Sequence, residues 1–111
     1  MNDLLRPALY DAHHDVWHVI KNDNPTSRVN VVGPICETGD FLAKDINIAA
    51  SENDLLAVRT VGAYGSVMSS NYNSRPRAAE VLVDKKNFYL IRKREDNSSL
   101  TSLEEGLDDQ I

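Results

Sequence analysis

The only cysteine of the chain, Cys36, stands in Gly33-Pro34-Ile35-Cys36-Glu37-Thr38-Gly39-Asp40, with a carboxylate directly after it. Proline and glycine on either side argue against a continuous strand or helix through it. A polar, thiol-bearing turn between two apolar, strand-like runs is a place for chemistry. Free thiols ionise near about pH 8.5, close enough to neutral to give up a proton at modest cost. A thiol is also compact, so it can protonate a carbanion without crowding it. Glu37, its neighbour, has the charge to hold a substrate ammonium. A lone cysteine is more often a small buried hydrophobe, and a loop carboxylate is more often simply solvated. Both plainer readings stand beside the chemical one.

Arg6 and Tyr10 are four residues apart, which puts them on one face of extended backbone. Pro7 argues against helix at Arg6. A guanidinium and a phenol on one face suit a carboxylate, because arginine grips carboxylates at two points. A surface ion pair beside an amphipathic core tyrosine is the alternative. Tyr64 lies between Gly62 and Gly65 at the end of an apolar run, where glycines let the backbone approach a ligand closely. Its phenol suits a phosphate or a carboxylate, or it plugs the mouth of a barrel. Asn71, Tyr72 and Arg75, in the long polar stretch 69–77, are candidates for a subunit interface or a site wall. His13, His14 and His18 do not read as a metal site. They lack a second thiolate or a well-placed carboxylate set, and His13 and His14 point opposite ways on a strand. No glycine-rich nucleotide loop and no hydrolase nucleophile elbow is present.

The elements that must position these residues are short. At 111 residues the chain is at most one small domain, and its 41% hydrophobic content suffices for a modest core. A net charge of −5 argues against nucleic acid as a partner, since phosphate backbones need a basic face. No apolar run approaches the ~20 residues of a membrane helix, and the first residues lack the basic-then-apolar pattern of a leader. One cysteine excludes an internal disulfide and suits a reducing, cytoplasmic compartment. The opening Asn2-Asp3-Leu4-Leu5-Arg6-Pro7 reads like the inside of a domain, as in a piece cut from a longer protein.

Residues 15–20 alternate, with Val16, His18 and Ile20 opposite Trp17 and Val19. Residues 27–32 alternate too, with Val29 and Val31 opposite Arg28, Asn30 and Val32. The polar, proline-bearing segment 21–26 between them predicts a hairpin. Residues 41–53 are ambiguous. The apolar run 55–61 predicts a buried strand, and residues 79–83 and 88–93 predict strands around a turn at 84–87. Thr101 and Ser102 each precede a glutamate by three, Glu104 and Glu105, which predicts a capped C-terminal helix. The acidic end, 108–111, is expected to fray. Short strands with polar turns and little helix predict a mainly all-β fold, an antiparallel, Greek-key-like barrel or sandwich with a short C-terminal helix.

Five segments carry a resemblance. Met1-Asn2-Asp3-Leu4-Leu5-Arg6-Pro7-Ala8-Leu9-Tyr10, Val32 through Asp40, Asp54-Leu55-Leu56-Ala57-Val58, Gly62-Ala63-Tyr64-Gly65 and Met68-Ser69-Ser70-Asn71-Tyr72-Asn73-Ser74-Arg75-Pro76-Arg77 resemble, in order, the C-terminal domain of the diaminopimelate decarboxylase family. That family belongs to the pyridoxal-phosphate-dependent, alanine-racemase-like decarboxylases. The resemblance runs over residues 1–93 and implies an N-terminal (β/α)8 barrel paired with this β-domain, the barrel being absent from this chain. It implies conversion of meso-2,6-diaminopimelate to L-lysine and CO2 with pyridoxal 5'-phosphate. By position, Arg6 and Tyr10 look like ligands of the substrate carboxylate. Cys36 looks like the proton donor to Cα after CO2 leaves. Glu37 looks like the ligand of the distal amino group, and Tyr64 like a cofactor and substrate contact. The family is a homodimer in which the cysteine and glutamate reach the partner's site.

The physical logic agrees with those roles. The substrate is an amino acid at both ends, so its distal end needs opposite charges, and Arg6 and Glu37 complement them. A buried charge left unpaired costs several kcal/mol, enough to reject analogues lacking one group. Lys21, Lys44, Lys85, Lys86 and Lys93 do not match the Schiff-base position, so this chain alone is expected to be inactive. On this view residues 1–96 form the β-domain and 97–111 a helix and acidic tail. The rivals are a related decarboxylase acting on ornithine or arginine, and a non-catalytic dimerisation module.

Overall fold

Alternating valines build the longest ladder. In β2, Ser27–Val32, Val29 and Val31 turn inward while Arg28, Asn30 and Val32 face out, as their spacing predicts. The computed structural model describes residues 3–36 and 40–107. Its other strands are β1 Val16–His18, β3 Phe41–Ile48, β4 Leu56–Val58, β5 Glu80–Asp84 and β6 Asn87–Arg92. Short helices lie at α1 Arg6–Tyr10, α2 Gly62–Gly65 and α3 Asn97–Thr101, with 3-10 turns at Ser66–Met68 and Tyr72–Ser74. All three strand pairs are antiparallel, so the expected mainly antiparallel β class is the one found.

The expected hairpin of residues 15–20 with 27–32 does not form. β2 pairs with β3 instead, setting Val29 against Ile46 and Val31 against Ala43. β1 pairs with β4, setting Val16 against Val58 and His18 against Leu56. A three-residue strand offers β2 little, whereas β3 is eight residues long and satisfies more ladder bonds and apolar pairs. β3 therefore resolves the ambiguity of 41–53. It carries a bulge near Asp45, whose φ is 54°, where Asn30 Oδ1 accepts from the Asp45 N–H at 2.9 Å and Arg28 pairs with the carboxylate at 3.1 Å. β4 is half-buried and only three residues long, not the buried strand expected over 55–61. Thr60, at φ 56°, bends the chain out of it.

α1 was not expected either. Pro7 sits in the first turn, where its missing N–H is not needed and its fixed φ suits a helix. Asp11, at φ 52°, ends the helix in the left-handed region. α1 packs against β3. The core is Leu4, Ile35, Ile48 and Ala49, with His14 and Asp40 as its buried polar members.

The chain divides into two compact units, Asp3–Ser69 and a second that begins at Ser70. The second holds the β5–β6 hairpin, whose strands lie where 79–83 and 88–93 predicted, and α3. The short C-terminal helix starts earlier than the Thr101 and Ser102 pattern implied. Asp96 caps it in a reciprocal box with Ser99, because a carboxylate before Ser98 and Ser99 meets the free N–H groups of the first turn. Residues 108–111, expected to fray, lie outside the described residues. Among the described residues no helix is long and apolar enough to cross a membrane.

Candidate functional site

Three of the expected site residues come together. Arg6 opens α1 and Tyr10 closes it, so their spacing of four works through one helical turn rather than through extended backbone. The Arg6 Cζ lies 5.9 Å from the centre of the Tyr10 ring and 5.3 Å from that of Tyr64, which α2 presents. Both phenols are open to solvent, 62% and 64% exposed. Cation–π contacts at such exposure contribute about 0.5–1 kcal/mol each, enough to gather the three groups. Among the described residues the Arg6 guanidinium has no carboxylate partner. A guanidinium flanked by two phenols fits a carboxylate or a phosphate oxygen. The Gly65 N–H closes α2 by donating to the Val61 carbonyl at 2.7 Å, and a Cβ at position 65 would lie 3.1 Å from that of Val61.

Cys36 is placed on a different element, the turn joining β2 to β3, and its side chain is exposed. Among the described residues no hydrogen bond joins its sulfur to Arg6, Tyr10 or Tyr64. Glu37 lies outside the described residues. The base of the turn is tightly held. The Gly33 N–H donates to the Asp40 carbonyl at 3.0 Å, extending the β2–β3 ladder by one pair. The Ile35 N–H donates to Asp40 Oδ2 at 2.6 Å. A bond to a charged acceptor contributes about 1.5–3 kcal/mol. Asp40 and Ile35 are only 4% and 8% exposed, so the residue before Cys36 is buried while Cys36 itself stands out.

Asp40 had no role in the sequence reading. The signal available was a carboxylate at the end of a turn that starts on a glycine. A Cβ at position 33 would lie under 3.0 Å from all three carboxylate atoms of Asp40.

The histidines are absorbed by structure. His14 is buried, with Nδ1 3.1 Å from the Arg59 carbonyl; His13 pairs with Asp15 at 3.0 Å; His18 lies 3.9 Å from Asp54. A cavity of about 510 Å³ opens beside α1 and β3, lined by Pro7, His14, Phe41 and Lys44 among others, and none of the expected site residues among those described lines it.

Of the candidates in 69–77, Asn71 donates both to the Arg75 carbonyl at 3.0 Å and to Glu95 Oε2 at 2.7 Å. Glu95, unsuspected in the sequence, also accepts from the Arg77 N–H at 2.8 Å, from the Arg77 guanidinium at 3.3 Å and from Arg92 at 3.1 Å. The Arg77 N–H and then the Asn71 amide hold its carboxyl down to about 2, well below the ordinary 4.5.

Residues 1–62 match the family described as pyridoxal-dependent decarboxylase, C-terminal sheet domain. The chain is 63% identical over 95 residues to the diaminopimelate decarboxylase of Pseudomonas aeruginosa and 62% identical over 95 residues to that of Neisseria meningitidis serogroup B. Each match covers 86% of this chain and 23% of the relative, so the chain spans about a quarter of their length. Among solved structures it is similar to Helicobacter pylori diaminopimelate decarboxylase complexed with L-lysine, with a TM-score of 0.86 at 40% identity. That match covers 100% of this chain and 27% of the other.

Proposed function

This chain belongs to the pyridoxal-dependent decarboxylase family, as its C-terminal sheet domain, and from that premise we propose that it completes the active site of a diaminopimelate decarboxylase. The full-length enzyme then turns meso-2,6-diaminopimelate into L-lysine and CO2. The relatives bear that name, and one was solved with L-lysine, the product of that reaction.

Pyridoxal phosphate, when bound, supplies the electron sink that lets the carboxylate leave as CO2. This chain's residues bind, orient and protonate. Arg6 and Tyr10 grip the substrate carboxylate that is kept, and the exposed phenol of Tyr64 beside the Arg6 guanidinium meets phosphate or substrate. Glu37 holds the distal ammonium. Cys36 Sγ delivers a proton to the carbon that has lost CO2. Cys36 and its neighbour Glu37 are remote in sequence from Arg6 and Tyr10. That division suits a homodimer in which each subunit's turn reaches its partner's site. On this reading the enzyme works in the cytoplasm, where the Cys36 thiol stays reduced.

One observation carries the proposal: a solvent-open thiol on a turn whose base is buried and hydrogen-bonded. A structural cysteine has no need of that exposure. The test is Cys36→Ala in the full-length enzyme. Turnover of diaminopimelate should fall by roughly 10²–10⁴-fold, the range for a lost general acid, with the dimer intact by sedimentation. Unchanged turnover would leave the domain a dimerisation module. Assays with ornithine and arginine separate the related decarboxylases, since neither carries the distal carboxylate that Arg6 is proposed to bind.

A further inference from the structure

We propose that Asp40 is a positioning residue for the Cys36 thiol, acting through the backbone of Ile35. The inference rests on the proton-donor role proposed for Cys36. A carboxylate is costly to bury and seldom found as enclosed as Asp40 unless it is paired. Its Oδ2 takes the Ile35 N–H at 2.6 Å, and its own carbonyl takes the Gly33 N–H at 3.0 Å. One residue therefore closes the turn twice, by backbone and by side chain.

Ile35 is thus anchored at both ends, its N–H on Asp40 and its side chain in the core. Cys36 follows directly on this anchored residue, and its side chain is exposed. Gly33 belongs to the same device, because any Cβ there would intrude on the carboxylate. The other oxygen, Oδ1, is buried and has no hydrogen-bond partner among the described residues. Within this chain Asp40 therefore acts as an acceptor at Oδ2 alone.

A single-acceptor role makes a distinctive demand. Asparagine offers the same oxygen to the Ile35 N–H, so Asp40→Asn should keep most of the activity, within about fivefold of wild type. Asp40→Ala should lower kcat by roughly 10²-fold, the cost of a small displacement of a reacting group, with KM for diaminopimelate within about twofold. In a Cys36→Ala background, Asp40→Ala should add no further loss, since the group it positions is gone.

All variants are made in the full-length enzyme, with dimer content checked by sedimentation. Where Asp40→Ala does not fold, Gly33→Ala displaces the carboxylate from the other side, and its kcat must fall at unchanged KM. A kcat within threefold of wild type in the folded Asp40→Ala enzyme overturns the proposal. So does an Asp40→Asn loss as deep as that of alanine, which would assign the effect to charge. If Cys36→Ala itself turns over normally, it is the proton-donor role that has failed, and the two failures are told apart by that single variant.

Discussion

The two units of the chain are stabilised by opposite means. In Asp3–Ser69, apolar side chains from α1's approach, the β2–β3 turn and the end of β3 bury themselves, and the polar groups enclosed with them, His14 and Asp40, each make one bond. From Ser70 onward no described residue is fully buried. Both faces of the β5–β6 hairpin leave apolar side chains open, Val81 and Phe88 on one and Leu82 and Tyr89 on the other. There the organising group is Glu95, whose carboxylate gathers Asn71, Arg77 and Arg92. A hydrophobic core tolerates one underused oxygen beside the proposed reactive turn. A unit without a core depends on a carboxylate whose oxygens are both engaged.

The largest test of that contrast is truncation. Ile48 is 6% exposed, and Ile48→Ala should cost about 2–4 kcal/mol, the range for a core isoleucine. Amide exchange across β2 and β3 in the 111-residue chain should accelerate by roughly 30- to 10³-fold. Phe88 is larger but 78% exposed, so Phe88→Ala in the same chain should change exchange in β5 and β6 by less than about threefold. Equal effects at the two positions would erase the distinction.

Acid provides the next test, and its sign is set by Glu95. Its carboxyl titrates near 2 when folded against an ordinary 4.5, so the unfolded form binds the proton first. The stabilisation is complete above pH 4.5 and is lost as pH falls from there through 2. Amide exchange in β5 and β6, referenced to the intrinsic rate at each pH, should lose protection across that window while β2 and β3 change little. Glu95→Gln keeps an acceptor but not the charge. It should start less protected at pH 6 and lose most of the dependence below 4.5. An undiminished acid response in Glu95→Gln would move the control elsewhere.

What the sequence disclosed follows the same division between local and distant causes. β2, β5 and β6 were readable because alternation and turn residues are local signals. The partner of β1 was not, because Val16 and Val58 meet only after the intervening chain has folded back, and adjacency in sequence pointed to β2. Pro7 argues in sequence against helix at Arg6, yet it occupies the one turn of a helix that accepts it. Of the candidate site, Cys36 and the trio of Arg6, Tyr10 and Tyr64 can be proposed from residue type and resemblance. Asp40 and Glu95 could not, because a carboxylate's importance here comes from the backbone N–H groups folded around it. Nothing in one sequence distinguishes that from a solvated acid.

Asp96 brings the smallest effect and the finest distinction. Its Oδ1 accepts from the Ser98 hydroxyl at 2.7 Å and from both the N–H and the hydroxyl of Ser99 at 2.8 Å. Those bonds, the Ser98 hydroxyl first, hold its carboxyl near 2 against an ordinary 3.8. Its contribution is therefore whole above pH 3.8 and fades as pH falls through 2, starting below the Glu95 window. α3 has five residues, too few to persist without its cap. Asp96→Ala should expose the α3 amides to exchange at neutral pH while leaving β5 and β6 protected. Asp96→Asn caps a helix about as well as aspartate does, so it should keep α3 ordered yet remove the acid response that remains in Glu95→Gln. If alanine and asparagine unravel α3 equally, the carboxylate's charge rather than its acceptor geometry holds the helix. The second unit would then rest on electrostatics at both of its acidic anchors.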